Sequence, residues 1–563
     1  MHFNLKDEIM NAKLYERIEL YFPEGADFVN ITTPDGSIKN LSTFQKNNAV
    51  FSYDKWGYEN ISLDEKPTDC FRYTPDMVGD YKLDIVLNQK TIKTIDLHVD
   101  PSEEKGYIRV SEKDSEYFEY DDGTPFFAVG INMVYPTSYT HTNGTEFGLS
   151  NETRYIGIKQ YERWFRECAK NGVNLVRLWL GCDYFTPDTE QIGVFKPESF
   201  AKIDEIFNLA HKYNIRLKLT LEQFRYFSYA EKNDFIFNLF SKKLYNGDSP
   251  CPDVKEWLNN SLWRDAWLLK VGELAKRYSG DTALFAVELW NETDAVAKLE
   301  DIIQWNRAVI PEIKKMFPKH FVTNSIGSLD RENTNKFYHD FCWDICDFSQ
   351  FHRYLDQGAT YSDCNKHIID MVKGGFKLLE DIKRPLLLAE TGAVNDCHSG
   401  PFRYYSSDDR GIIFADCVYT PLFLKSCGCG NIWHWDQRYV ESKNLYKMFK
   451  PLSELIHDVD FTNENFNSVD LSDDDVFLLL LEGQTTTLGY IRNKNDSWMN
   501  TLRDISEPDI IKKKEFTTKV SDKIENFPIW NEDTTKLYNS DNTIIAENIL
   551  YGTLFKITHK TKG

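Results

Sequence analysis

An α/β architecture, a (β/α)8 TIM barrel flanked by two all-β modules, is predicted by three observations in this chain of 563 residues. The length exceeds what one core fills, because single hydrophobic cores stop growing at roughly 250–300 residues. Both ends of the chain show period-two alternation broken by turn residues, the mark of half-buried strands. The middle alternates short apolar runs with amphipathic helical stretches, which marks a parallel sheet.

The first module is expected over residues 1–104. Alternation runs through Arg17–Phe22, Tyr81–Leu87 and Ile95–Val99, separated by Pro34-Asp35-Gly36 and Gly79-Asp80. This is the pattern of a small β-sandwich. Phe71-Arg72-Tyr73-Thr74-Pro75 followed by Gly79-Asp80-Tyr81 resembles the late strands of an immunoglobulin-like module. The linker is Asp100–Gly106.

The barrel is expected over residues 105–460. Eight strands can be counted: Phe126–Asn132, Leu175–Trp179, Arg216–Leu221, Leu284–Trp290, Phe321–Ser325, Phe348–His352, Pro385–Glu390 and Asn431–Trp435. Helices intervene. Ile158, Tyr161, Trp164, Phe165 and Cys168 form one apolar stripe, and Phe200, Ile203, Ile206, Phe207 and Ala210 form the next. Both follow the spacing of a helix that covers a core. A doubly wound sheet lacks support, because no Gly-rich phosphate loop follows any strand. Residues 461–563 return to β texture in Val476–Leu481, Thr487–Ile491 and Thr553–Ile557, predicting a C-terminal β-sandwich.

Functional groups of such barrels sit where strands meet the following loops. The fourth strand ends Glu288-Leu289-Trp290-Asn291-Glu292, and the seventh ends Leu388-Ala389-Glu390. Each places a Glu beside an apolar run at the same rim. Glycoside hydrolysis needs two such groups, one to donate a proton and one to attack or to activate water. The apolar neighbours imply partial burial, which separates their pKa values.

These motifs, in this order, resemble the cellulase- and mannanase-like hydrolases of clan A, particularly family 5, which carry Asn-Glu on strand four and Glu on strand seven. The resemblance implies a retaining β-glycosidase with Glu292 as general acid/base and Glu390 as nucleophile. It further implies that Arg177, in Asn174–Trp179, supports the nucleophile, and that Asn291 bonds the sugar 2-hydroxyl. His352 and Tyr354, in His-Arg-Tyr, match the family's His-x-Tyr, with Tyr354 on the nucleophile. Trp435 is the expected subsite floor and Trp433 its alternate, because alternation puts both on one face; either also suits the barrel core. Asn132 is expected to line the pocket. Glu222, closing strand three, either contacts substrate hydroxyls or caps the strand.

Two insertions, Thr137–Thr153 and the aromatic-rich Phe224–Leu258, are expected to shape subsites. The expected substrate is a β-linked oligosaccharide or polysaccharide: a glucan, mannan or galactoside. A non-catalytic carbohydrate-binding barrel is the rival reading, and intact rim residues weigh against it. A transglycosylase would use the same residues.

Composition sets the exclusions. The net charge of −21 argues against nucleic acid and anionic membranes, which need a basic footprint. Aromatic residues are plentiful, with 13 Trp, 30 Tyr and 38 Phe, and a pyranose offers its C–H face to such rings. The 11 Cys show no metal spacing, and no strand end clusters metal ligands, so no cofactor is expected. Met1–Glu24 shows no apolar run after a basic start, so no signal peptide is expected, and no apolar run is long enough to span a membrane; the expected location is cytoplasmic, or secreted if a leader has been trimmed. Oligomers are expected, if formed, to use the β-modules.

Overall fold

The computed structural model describes residues 9–136, 155–182, 184–189, 191–223, 251, 254–395, 400–517, 521–540 and 543–559. The insertion Thr137–Thr153 lies outside them, as does most of Phe224–Leu258; the end of the latter enters the helix Val254–Asn259.

Near the N-terminus, five strands pack in the order Ile9–Lys13, Lys90–Asp100, Gly79–Leu87, Phe28–Thr32, Ile38–Ser42. A three-stranded sheet of Ile18–Phe22, Thr68–Tyr73 and Phe44–Lys46 faces it. The alternating residues Leu83, Ile85, Ile95, Leu97 and Val99 join Ile18, Leu20 and Phe71 in one core. A separate hairpin, Ala49–Tyr53 with Glu59–Leu63, leaves this pair of sheets.

The barrel begins differently from expectation. The first apolar run is divided between two structures. Pro125–Phe126 pairs with Phe118–Tyr120, which pairs with Ile108–Val110, while Gly130–Met133 forms the barrel stave. The small meander floors the barrel. Phe118 lies 5.3, 5.1 and 5.9 Å from the rings of Phe285, Phe321 and Phe348, at the starts of strands four to six. An open barrel end exposes apolar surface, and this cluster covers it.

Strands two to five, Leu175–Trp179, Arg216–Gln223, Leu284–Asn291 and Phe321–Thr323, follow in parallel register. Ser349–Leu355 and Leu386–Ala393 continue the ring. The expected eighth strand, Asn431–Trp435, is reduced to bridges: Ile432 pairs with both Thr391 and Ile131. Asn132 donates its N–H to the Ile432 carbonyl at 3.2 Å, and Trp433 donates to Thr391 at 2.9 Å, so the ring closes. The helices Ile158–Lys170 and Pro197–Tyr213 bury the two predicted stripes.

The C-terminal sheets hold Asn467–Asp470, Val476–Glu482, Thr486–Asn493, Gly552–His559 and Ser521–Pro528 in one layer, and Ile511–Thr517, Thr543–Ile549 and Lys536–Ser540 in the other. Val476–Leu481 is apolar throughout because it serves two cores. Val476, Leu478 and Leu480 face the second layer; Phe477, Leu479 and Leu481 join the barrel core. Buried ion pairs tie both ends to the barrel. Arg72 meets Asp204 through two bonds of 2.8 Å, and Arg492 meets Asp416 at 3.0 Å. The ten described cysteines are buried. Among the described residues no helix is long and apolar enough to cross a membrane.

Candidate active site

Parallel pairing puts Asn132, Arg177 and Lys218 in one row across strands one to three. Arg177 is fully buried and spends its planar fork on four partners. Its Nε and Nη2 hold Glu288 at 2.8 and 2.6 Å. Its Nη1 reaches Asn132 Oδ1 at 3.0 Å and bonds the Glu390 carboxylate. Its Nη2 also donates to Asn291 Oδ1 at 2.8 Å. A guanidinium suits this because its donors are fixed in direction. The two carboxylates outweigh the burial penalty and raise the Arg177 pKa further.

Glu390 is set by a bulge. Phe351 pairs with Leu388 and His352 pairs with Glu390, so strand seven carries Ala389 as an extra residue. Bulges re-aim side chains next to active sites; here one brings Glu390 opposite His352. Tyr354 donates its hydroxyl to Glu390 Oε2 at 2.7 Å. Burial pushes the Glu390 carboxyl above the ordinary carboxylate range, against the pull of His352, Arg177 and Tyr354.

Glu292 sits just past strand four with φ 53° and ψ 57°. A left-handed non-glycine backbone costs free energy and persists where surroundings enforce it. Ser325 enforces it, accepting the Glu292 N–H on Oγ at 3.1 Å while donating to the Trp290 carbonyl at 3.1 Å. The Glu292 side chain is 20% exposed and that of Glu390 is 4% exposed, so one faces the opening and the other the interior. His352 Nδ1 lies 3.0 Å from Glu292 Oε1 and 3.5 Å from Glu390 Oε2. Burial lowers the His352 pKa to about 4, leaving a neutral imidazole between two carboxyl groups. One ligand atom from each of Glu292, His352 and Glu390 falls within 4.8 Å of the others; a divalent cation placed there would occupy the carboxyl pair itself.

Beneath this site lies a layer that motif reading did not single out. Lys218 Nζ is 3.2 Å from Glu288 Oε2, and both side chains are fully buried. Lys218 also bonds Gln350 Oε1, whose Nε2 donates to the Asn324 carbonyl at 3.2 Å. Asn324 Oδ1 accepts from the Trp290 and Ser325 N–H groups at 3.0 and 2.9 Å. The chain of contacts thus runs from Glu390 through Arg177, Glu288, Lys218, Gln350 and Asn324 to the residue that fixes Glu292. Arg177 and Lys218 balance Glu288 and Glu390 in charge. Glu288 is held well below the usual carboxylate range by Arg177 and Lys218 despite burial. Burial lowers the Lys218 pKa to about 8. The available signal was a charged residue interrupting each of three apolar strands.

Two expected substrate contacts, Glu222 and Asn132, are corrected, and the strand-eight tryptophans are placed. Glu222 does not face the carboxyl pair. It is in register with Trp290, whose ring packs 5.3 and 5.9 Å from Trp257 and Trp305 of the surrounding helices. Glu222 points the same way, accepting from Trp267 Nε1 at 2.8 Å and pairing with Lys270. Its neighbour Gln223 is in register with Asn291 and takes the inward position. Asn132 does not line the pocket as a free group. Its Nδ2 donates to the carbonyls of Ala389 and Asn431 at 3.0 Å each, and its Oδ1 is taken by Arg177, so it positions Arg177. Trp433 and Trp435 stay in ring contact, with centroids 5.6 Å apart. Trp435 donates its N–H to the Trp433 carbonyl at 2.8 Å, a tight turn that ends the extended run. Trp433 stands 5.0 Å from Trp179, whose ring lies 5.7 Å from the Arg177 guanidinium. Trp435 also packs 6.2 Å from Trp164 on the outer helix. Trp433 therefore lies between Trp179 and Trp435, one ring removed from Arg177.

Residues 140–409 match the family model described as cellulase (glycosyl hydrolase family 5), a span that contains Arg177, Asn291, Glu292, His352, Tyr354 and Glu390. The match falls within the barrel and supports a clan A, cellulase- and mannanase-like family 5 fold for it. Mannan endo-1,4-beta-mannosidase A of Emericella nidulans is 24% identical over 259 residues, covering 41% of this chain and 65% of that protein. The chain thus matches just under two thirds of that relative's length. The enzyme of the same name from Hypocrea jecorina is 23% identical over 319 residues, covering 49% of this chain and 68% of that protein. A solved structure described as a candidate glycoside hydrolase from Bacteroides vulgatus superposes with a TM-score of 0.56 at 12% identity, covering 98% of this chain and 100% of that one. That fold likeness extends over the β-sheets at both ends.

Proposed function

We propose that this chain is a retaining β-glycoside hydrolase acting on β-linked oligosaccharides or polysaccharides, with β-1,4-linked mannan the first substrate to test. The observation that carries the reading is the carboxyl pair. Oxygens of Glu292 and Glu390 lie within 4.8 Å of one another, and Arg177 and Tyr354 both bond Glu390. Inverting enzymes keep their carboxyl groups about 6.5–9.5 Å apart to admit water, whereas retaining ones need about 5–5.5 Å. The named activity of the two fungal relatives supports mannan over glucan or galactoside.

In this mechanism Glu390 attacks the anomeric carbon while protonated Glu292 gives its proton to the departing glycosidic oxygen. Asn291, with its Oδ1 fixed by Arg177, offers its amide N–H to the sugar 2-hydroxyl, where bonding strengthens in the oxocarbenium-like state. The glycosyl ester on Glu390 then breaks as ionised Glu292 takes a proton from water. Trp433 floors the subsite. The chain divides into modules at 1–104, 105–460 and 461–563.

Proton NMR of the first product released from a β-mannan oligosaccharide tests the mechanism. The β-anomer is expected; a first-formed α-anomer rejects the two-step reaction.

A further inference from the structure

Twelve of the 13 Trp residues are buried, at 8% exposure or less. Trp56 is 70% exposed. An indole left in water forgoes a large burial gain, so the lone exception needs a reason beyond packing.

Trp56 sits at the tip of the hairpin Ala49–Tyr53/Glu59–Leu63. The turn is built rigidly. Asp54 Oδ1 accepts the N–H groups of Trp56 and Tyr58 at 2.8 and 3.0 Å, and Gly57 supplies φ +85°. Lys55 Nζ lies 5.0 Å from the indole centroid.

The hairpin tip is anchored to the catalytic side of the barrel. Each barrel helix runs back from the catalytic rim, so its N-terminus lies on that rim's side. Glu59 Oε2 accepts the N–H of Ile158, the first residue of the first helix, at 2.7 Å. Glu59 Oε1 accepts the hydroxyl of Tyr184, in the loop after strand two, at 2.8 Å. The Glu59 N–H donates to the Tyr155 carbonyl at 2.8 Å, and Tyr53 accepts from the Lys159 N–H at 3.2 Å. Room for Glu59 is made by Gly157, where a Cβ would come 1.9 Å from Glu59 Oε2. The first β-module thus sends a rigid exposed indole to the face where strands one and two end.

We propose that Trp56 is a remote sugar-binding platform, taking the apolar C–H face of a pyranose in a β-linked chain whose cleaved bond lies between Glu292 and Glu390. This rests on the proposed hydrolase activity. A platform on a separate hairpin contributes only to ligands long enough to reach it.

The test compares wild type with Trp56→Ala on soluble β-1,4-mannan and on nitrophenyl β-mannoside. An aromatic contact of about 1 kcal/mol corresponds to an approximately fivefold rise in KM on the polymer, with kcat and both constants on the aryl glycoside unchanged. Trp56→Phe should recover most of the loss. Equal polymer KM in wild type and Trp56→Ala overturns the proposal, as does an equal rise on both substrates. So does dissociation of an oligomer with polymer KM unchanged, which would make Trp56 a contact between copies. If wild type cleaves neither substrate, the mannan reading fails separately. Retardation of the full chain in gels containing β-mannan or β-glucan then decides the platform: weaker retardation of Trp56→Ala upholds it, and equal retardation overturns it.

Discussion

Glu390 and Glu292 are chemically identical side chains that the fold places in opposite circumstances. Glu390 is enclosed and bonded by Arg177 and Tyr354; in the proposed mechanism it is the attacking group. Glu292 is more open and touches His352, with room to exchange protons. Glu390→Ala is expected to lower turnover by about 10⁴-fold or more, since nothing else can form the covalent bond. Added azide should restore part of the activity and give an α-glycosyl azide; wild-type turnover in the variant would remove Glu390 from its role. Lys218 supplies a prediction of a different kind. It is one of two cations set against Glu288 and Glu390 in the buried layer. Lys218→Met leaves two carboxylates to Arg177, so ionised Glu390 loses favourable charge. Its pKa should rise, and the acid limb of kcat/KM should move to higher pH. A profile of unchanged shape with reduced height would mean that Lys218 only supports packing.

At the scale of elements, eighth-strand geometry separates two tryptophans that look equivalent in the sequence. The turn at Trp433–Trp435 leaves Trp433 beside Trp179 and puts Trp435 between Trp433 and Trp164 of the outer helix. Trp433→Ala should raise KM and, because Trp433 is also buried, cost about 3–5 kcal/mol of stability. Trp435→Ala should cost about 3–5 kcal/mol of stability while its folded fraction keeps wild-type KM. Steady-state kinetics beside urea denaturation reads both. The reverse outcome would restore Trp435 as the subsite floor. The same logic applies to strand three, where a single step along the chain exchanges a helix-facing Glu222 for an inward Gln223.

At the scale of the molecule, the β-sheets are joined to the barrel by buried charge. Asp204 is held well below the ordinary carboxylate range: Arg72 and Lys46 overcome the burial that would raise it. The same two cations hold Glu19 down at about 2 against burial. Folded pKa values lie below unfolded ones, so this stabilisation is complete above the unfolded values of about 4 and is lost as pH falls toward the folded ones. Denaturation at pH 3 should therefore show a lower midpoint than at pH 7, with a smaller difference in Asp204→Asn. An equal difference in wild type and variant would assign the acid sensitivity elsewhere.

Which parts were legible follows from which forces are local. Amphipathic stripes, strand alternation and turn residues are set by burial along one element, so the helices Ile158–Lys170 and Pro197–Tyr213 and the β texture of both ends could be read directly. Asn291-Glu292 and Glu390 were legible because the chemistry requires carboxyl groups at strand ends. Arg177, His352 and Tyr354 came through the resemblance that those motifs carry. The tertiary structure alone decided what depends on register and closure. It aimed Glu222 at Lys270, absorbed Asn132 into the support of Arg177, and set Trp433 between Trp179 and Trp435. It also assembled Lys218, Glu288 and Gln350 into a layer beneath the carboxyl pair. A one-residue bulge or turn reverses which side a chain segment faces, and a buried charge shows its role only when its partner, distant in sequence, is brought within a few ångströms.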